Sequence, residues 1–289
     1  MRDFEYESPK TLADALQLLQ QPGARPLAGG TDLIDHLRTE RVVADCVVDV
    51  KHIPELNAVE EGDGTIHLGA ATPCRAIQRS SMIREQAQAI HDVCCLIGGV
   101  QIQSRASIGG NVCSSGAAAD STPALIALNA SCEIAGPSGS RSVAAEDFCT
   151  GPNTNVLEPG ELLIGFRIPK PAPQTGSHYQ RFIPRYEMDI AVVGVGAKVM
   201  LDESGQISEA RIGLGAVAPS PFLAAELGEF LKGKTPSNEL FEETGERARQ
   251  LIHPIDDHRG TAEFRTHVTG VLVKRVLTEA VRRAEQQQG

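Results

Sequence analysis

Two stretches combine a glycine pair with small hydroxyl and amide residues: RPLAGGTDLI at 25–34 and SRASIGGNVCSSGAAADSTPALIALNA at 104–130. Each drives an apolar run into adjacent glycines, Gly29-Gly30 in the first and Gly109-Gly110 in the second. Glycine adopts φ > 0 without steric penalty and lets a backbone approach a ligand with no Cβ in between. Successive N–H groups in such a turn can be aimed at one anion. A diphosphate is the obvious candidate, and a tight turn with no ligand is the alternative.

Other chemistries find less support. The dinucleotide signature G-x-G-x-x-G, placed between a strand and a helix, is missing from both loops. Its nearest match, GVGAKV at 194–199, has Val199 in place of the third glycine and runs on as MLDESG, so Gly194 and Gly196 read as strand glycines. The phosphate-loop pattern G-x-x-x-x-G-K-[ST] does not occur, which removes the main support for nucleoside triphosphate hydrolysis. Ser114 and Ser115, with His91, raise nucleophilic catalysis, yet no G-x-S-x-G elbow surrounds them. His253, Asp256, Asp257 and His258 invite a metal, but loop residues capping the helix that follows explain them as well, with Thr261 or a nearby aspartate as the cap. Arg259 and Arg265 are expected to pair with carboxylates and orient that last helix. No residue is assigned as a catalytic acid, base or metal ligand.

Seven cysteines, at 46, 74, 94, 95, 113, 132 and 149, form an odd set without C-x-x-C, which points to reduced, buried thiols. With 37 acidic against 27 basic residues, the formal charge of −10 gives no electrostatic footprint for nucleic acid or an anionic membrane surface. No apolar run reaches membrane-spanning length and the N-terminus MRDFEYESPK carries no apolar signal core, so a cytoplasmic location is expected.

These loops need a scaffold. Leu12, Ala15, Leu16 and Leu19 repeat at helical spacing and predict a helix from about Thr11 to Gln21, stopped by Pro22-Gly23. Strands flank it, a second helix follows the first glycine pair, and CVVDV at 46–50 closes a βαβ-like unit. GTIHLGAATP predicts a strand, CRAIQRSSMIREQAQAIHDVCCLIG one or two helices, and Asp120-Ser121-Thr122 ahead of Pro123 a helix start. SCEIAG and ELLIGFRIP read as strands, and KPAPQTGSHYQ at 170–180 as a linker. Two to three strands and a helical tail complete an α+β order.

The two loops, taken with Asp120, PALIALNA at 123–130, ELLIGFRIP at 161–169, MDIAVVGVGA at 188–197 and DDHRGTAEFR at 256–265, resemble the FAD-binding (medium) subunit of the molybdenum hydroxylases, the xanthine dehydrogenase and carbon monoxide dehydrogenase family. The likeness runs nearly end to end. It implies an α+β protein: a PCMH-type FAD-binding fold of two subdomains, at 1–55 and 56–172, and a C-terminal domain at 178–289 with a three-stranded antiparallel sheet and a helical bundle. It implies FAD, held extended between the first two subdomains with one glycine loop from each. By resemblance the backbone around Leu27, Ala28, Gly29, Gly30, Thr31, Asp32 and Leu33, and around Ser107, Ile108, Gly109, Gly110 and Asn111, donates hydrogen bonds to the diphosphate, and the Thr31 and Ser107 hydroxyls add to them. Asp120 stands near the ribose or adenine end, with a helix N-cap as its alternative role. Ile97 and Leu163 lie near the flavin ring. A lysine present after the linker in some relatives has no clear counterpart in HYQRFIPRYEMD.

The resemblance also implies partners. A large molybdopterin-binding subunit would oxidise the organic substrate, and a small [2Fe-2S] subunit would relay electrons to this chain, which hands them to an external acceptor such as NAD, oxygen or a quinone. The assembly expected is a dimer of heterotrimers. No insertion that would carry an additional iron-sulfur cluster interrupts residues 72–95. Two other classes stay open: a stand-alone FAD oxidase of the vanillyl-alcohol oxidase type, disfavoured by the short C-terminal part and a first glycine turn without histidine, and a flavin-free assembly protein that keeps the fold.

Overall fold

The computed structural model describes residues 1–287. The first unit is β1 (Glu5–Glu7), α1 (Leu12–Leu19), β2 (Ala24–Leu27), α2 (Leu33–Arg38) and β3 (Cys46–Asp49). Its three strands are all parallel, in the order β1-β3-β2. Parallel strands need crossover helices, and here the two helices cover opposite faces. Ala15 and Leu19 of α1 pack with Cys46 and Val48, while Leu37 of α2 packs with Leu27 and Val47. Thr11 starts α1 by accepting the Asp14 amide on its hydroxyl at 3.2 Å. The first glycine loop leaves the carboxyl end of β2, where open parallel sheets commonly take ligands.

The second unit opens with β4 (Val59–Gly62), β5 (Thr65–Gly69), α3 (Cys74–Arg79), α4 (Ser81–Gln86) and α5 (Gln88–Leu96). The segment expected to make one or two helices therefore makes three. Ser80, in extended backbone, ends α3 and caps α4 through its hydroxyl, and Ala87 breaks the chain again before α5. Then follow α6 (Val100–Gln103), α7 (Ile108–Cys113), α8 (Ser121–Ala127), β6 (Ser131–Gly136), β7 (Gly139–Ala144), α9 (Ala145–Phe148), the short hairpin β8 (Cys149–Gly151) and β9 (Thr154–Asn155), and β10 (Leu162–Pro169). The five-stranded antiparallel sheet has the order β4-β5-β10-β6-β7. Ile66, Leu68, Phe166 and Phe148 meet α3, α5 and α8 in its core.

The third unit holds β11 (Thr175–Phe182), β12 (Val193–Leu201), β13 (Ile207–Gly215), β14 (Phe222–Leu223), α10 (Ala225–Leu231), α11 (Asn238–Ala248) and α12 (Ala262–Gln286). The sheet has four antiparallel strands where three were expected, because the two residues of β14 pair with Gly213 and Leu214. The expected linker shrinks to residues 170–174, and Thr175–Gln180 belong to β11. The strand reads as polar because its partners are polar. Ser177 accepts the Ala89 amide on its hydroxyl and donates its own amide to Gln88 Oε1, both at 3.2 Å. On one face, Val195, Ile212 and Leu214 pack with Val273 and Leu277 of α12.

On the other face β12 and β13 carry glycines in register, Gly194 beside Gly215 and Gly196 beside Gly213. There the first turn of α8 lies directly on the sheet. A Cβ at Gly213 would fall 2.2 Å from the Pro123 carbonyl oxygen, and one at Gly196 2.7 Å from it. Among the described residues no helix is long and apolar enough to cross a membrane.

A half-buried ionic knot fastens the second unit to the third. Asp92 of α5 accepts from His178 Nδ1 at 2.6 Å, the Tyr179 amide at 3.2 Å and Arg283 Nη1 at 2.8 Å. Burial works against the Asp92 charge, yet hydrogen bonds from His178 and Arg283 outweigh it and hold the carboxyl below its usual range. A depressed carboxyl contributes stability above its unfolded value, about 3.9, and loses it as pH falls through the lower folded value. Asp92→Asn should therefore cost about 2–3 kcal/mol at neutral pH, through a weakened charge-assisted network. The deficit should shrink below about pH 4, because the wild type loses the same charge there. Urea unfolding across pH checks both statements, and a deficit that stays constant into acid would contradict them.

Candidate functional site

The first loop turns at Gly30, the glycine of the four in the two pairs that takes a left-handed backbone, with φ +76°. Leu27 lies beneath it: its carbonyl accepts the Val50 amide at 3.1 Å, and its Cδ1 would sit 2.8 Å from a Cβ at Gly30. Ala28, Gly29 and Leu33 are half-buried, and Thr31 and Asp32 are exposed. Among the described residues, none of the amides from Ala28 to Leu33 donates to another group of the chain, whereas the next one, Ile34, donates to the Gly30 carbonyl at 3.1 Å. Six consecutive amides thus stand without an internal acceptor at the edge of the sheet, open to solvent or to an external anion.

The second loop differs from the expected turn. Residues 108–113 form the short helix α7, and Gly109 and Gly110 are helical. Ser107 caps it, its hydroxyl accepting the Gly110 amide at 3.1 Å, and the Gly109 amide donates to the Ala70 carbonyl at 3.1 Å. Both amides are engaged, so the two loops are not equivalent donors. The glycines have separate reasons. A Cβ at Gly109 would fall 2.4 Å from the Ala70 oxygen, so close packing demands its absence. Gly110 is exposed, and a Cβ there would meet only the Ser107 hydroxyl, at 3.2 Å. Ile108 is buried in the core.

The two loops meet although some 80 residues separate them in the chain. A Cβ at Gly29 would lie 2.1 Å from the Arg105 carbonyl oxygen, so the first loop rests backbone to backbone on the segment that leads into α7. Asp32 accepts from the Ser114 hydroxyl at 3.0 Å and closes the far side of the seam.

Asn111 and Asp120 exchange the roles the residue types suggest. Asp120 precedes α8 but makes no capping bond. Asn111 Oδ1 caps that helix instead, accepting the Ser121 amide at 3.1 Å and the Ser121 hydroxyl at 2.6 Å. Asp120 turns to β11, where Tyr179 Oη donates to Oδ1 at 2.7 Å and Arg181 Nη1 to Oδ2 at 2.6 Å. Arg181 also donates to the Leu96 carbonyl at 2.6 Å, next to Ile97. A cation therefore does stand after the linker, and sequence reading missed it together with Tyr179. The available signal was the alternation in HYQRF, set against GVG and GLG on the neighbouring strands. Ile97 and Leu163 are 9% and 2% exposed and share one core.

Elsewhere, Thr261 caps α12 through its hydroxyl, and Arg265 pairs with Asp257 at 2.8 Å while donating to the Val192 carbonyl at 2.7 Å. Arg259 approaches Asp189 at 3.7 Å. The loop at 253–258 is thus organised as a helix cap and anchor.

This geometry defines a class: a chain with a parallel βαβ unit, a mixed second unit and a seam of free main-chain donors between them. Comparison with known proteins gives the family. Residues 2–171 match the FAD binding domain in molybdopterin dehydrogenase, and residues 178–280 match the CO dehydrogenase flavoprotein C-terminal domain. The chain is 35% identical to the carbon monoxide dehydrogenase medium chain of Afipia carboxidovorans, covering 98% of both. It is 33% identical to a xanthine dehydrogenase FAD-binding subunit of Escherichia coli O157:H7, covering 97% of both. A reconstituted CO dehydrogenase from Oligotropha carboxidovorans contains a chain that superposes with a TM-score of 0.93 at 32% identity, over 98% of this chain and 99% of that one. The chain belongs to the family of FAD-binding subunits of the molybdenum hydroxylases. It is an oxidoreductase component, and its cofactor is FAD.

The seam generates a prediction. Gly29→Ala places a methyl group against a carbonyl that cannot rotate away, and should cost about 1–3 kcal/mol through overpacking. Faster amide exchange should be confined to the first loop and residues 104–110; wild-type stability and exchange in this variant would contradict the contact.

Proposed function

We propose that the chain is the FAD subunit of a heterotrimer in which electrons arrive from the [2Fe-2S] clusters of a small subunit and leave to an external acceptor. Substrate oxidation belongs to a large molybdopterin-binding subunit, and two heterotrimers pair. The relatives' names as medium chain and FAD-binding subunit favour such a division of labour. The observation that carries the reading is the row of six unpaired amides, Ala28 to Leu33, in a loop that packs on the segment leading into α7.

The residues present fit FAD. The first loop offers main-chain donors to its diphosphate, each charge-assisted bond contributing about 1.5–3 kcal/mol. Gly30 sets the curvature that gathers them, and Leu27 supports the turn from below. Gly110 leaves the facing surface of α7 open to close approach. The Ser107 hydroxyl and the Gly109 amide hold α7 in place, and Asn111 fixes the start of α8. Asp120 presents its carboxylate to the ribose or adenine end. Ile97 and Leu163 supply an apolar wall for the ring. Bound there, FAD supplies two-electron redox chemistry, while the chain provides binding, orientation and exclusion of water. The seven cysteines, all free, suit a reducing compartment, and we assign the chain to the cytoplasm.

Absorption spectra of the purified full chain, before and after acid precipitation, test the reading. The expected result is flavin that acid releases; covalently retained flavin would favour a stand-alone oxidase, and a colourless chain that takes up no added FAD would overturn the proposal. Gly110→Val should keep the wild-type circular dichroism and weaken FAD retention by about tenfold or more, the loss of one to two charge-assisted contacts. Undiminished flavin content in that variant would sink the site assignment.

A further inference from the structure

The row of glycines on β12 and β13 leaves more room than α8 alone uses. Gly196 and Gly213 clear the backbone at Pro123, but Gly194 clears something else: a Cβ there would lie 2.6 Å from the Tyr179 hydroxyl oxygen. That hydroxyl is at the end of a phenol 1% exposed, and it donates to Asp120 at 2.7 Å. The Asp120 carboxylate is also held by Arg181, in a pair whose side chains are 9% and 4% exposed. Its own helix does not need it, because Asn111 already caps α8. A buried carboxylate is costly to desolvate. This one is kept, turned away from its helix and pinned by two donors from a different domain.

We propose that Tyr179 and Gly194 are positioning residues of the FAD site: the C-terminal domain fixes the Asp120 carboxylate through the Tyr179 phenol, and so sets FAD affinity without touching the cofactor. The proposal rests on the reading that Asp120 faces FAD. A phenol suits the task because it gives direction to a carboxylate oxygen without a second positive charge, leaving the remaining lone pairs able to accept from a ribose hydroxyl. Gly194 supplies the clearance that lets the phenol reach its place.

Burial pushes the Asp120 carboxyl up, and the Arg181 charge and the Tyr179 hydrogen bond oppose it. The titratable and charged groups that face it are Arg181 and Tyr179 from β11 and Cys74 from α3. Removing the phenol hydroxyl deletes one of the opposing influences, so the carboxyl climbs further and is protonated at higher pH. FAD binding then weakens more steeply toward acid than in the wild type, an effect that a purely structural defect would not produce.

The experiment is an FAD titration of the flavin-depleted full chain from about pH 6 to pH 9, followed by flavin fluorescence, in the wild type, Tyr179→Phe, Gly194→Ala, their double variant and Asp120→Asn. Each of the two single variants should weaken binding by about tenfold, as for one buried charge-assisted hydrogen bond left unmade. The double variant should be no worse than either, since both remove the same bond. Asp120→Asn should lose at least as much, with no added loss toward acid, because an amide does not titrate. If Asp120→Asn loses affinity while Tyr179→Phe and Gly194→Ala stay within about twofold of the wild type, the positioning role is overturned and the Asp120 contact stands. If Asp120→Asn binds FAD like the wild type, the underlying reading of Asp120 falls and the proposal falls with it.

Discussion

Backbone packs on backbone at the three places that seat the first glycine loop, α7 and α8, and the absence of Cβ atoms is the condition for it. Gly29 rests on the Arg105 carbonyl, Gly109 on the Ala70 carbonyl, and Gly213 on the Pro123 carbonyl, each at a distance no side chain could share. Such contacts have no soft component. A side chain pressed by a neighbour can change rotamer, but two main chains held in a sheet and a helix cannot, so the contact fixes position to within a few tenths of an ångström. Three rigid contacts thus seat the first glycine loop on the entry to α7, α7 on the residue after β5, and α8 on β13. Side chains then add detail: Asp32 with Ser114 closes the seam, and Asn111 with Ser121 sets the start of α8.

Electrostatics follows from that rigidity. With a formal charge of −10, the chain has no long-range attraction for an anion, and no lysine or arginine lies within either glycine turn. On the proposed reading, affinity for a diphosphate must come from short-range dipoles that are already oriented. A loop free to rearrange would lose that advantage, because ordering its amides at the moment of binding would cost conformational entropy for each residue fixed. The left-handed Gly30 and the close approach at Gly29 settle the loop beforehand.

Much of this was legible in the residues. The helical spacing of Leu12 to Leu19, the apolar run at 46–50 and the strand ending at Pro169 appear where local pattern placed them. The glycine pairs were recognisable as places of close approach. What local pattern could not supply were partners. Gly109 and Gly110 look like a turn, but the Ser107 cap and the Ala70 carbonyl make them helical. Thr175–Gln180 look like linker because their polarity signals solvent, whereas in the structure Ser177 and His178 spend theirs on α5. Asp120 reads as a helix cap until Asn111, nine residues earlier, is seen to hold that position. Period and propensity report on neighbours in sequence; these three outcomes depend on neighbours in space.

The lacing between α5 and β11 changes what the short linker means. The linker at 170–174 lies where one family match ends, at 171, ahead of the next, which begins at 178, and this would ordinarily mark a hinge. Yet α5 is tied to β11 at both ends and in the middle: Gln88 and Ala89 to Ser177, Asp92 to His178 and Tyr179, and Leu96 to Arg181. Arg283 of α12 joins the same knot through Asp92. A rotation about the linker would have to break a half-buried, charge-assisted network and lift Pro123 off its glycine floor, contacts that cost several kcal/mol to lose together. The C-terminal sheet is thus separable in sequence but continuous in mechanics with the helices that carry Ile97 and Asp120. A ligand must therefore enter the seam from the side where Thr31 and Asp32 are exposed, past a loop whose course Gly29 and Gly30 have already set.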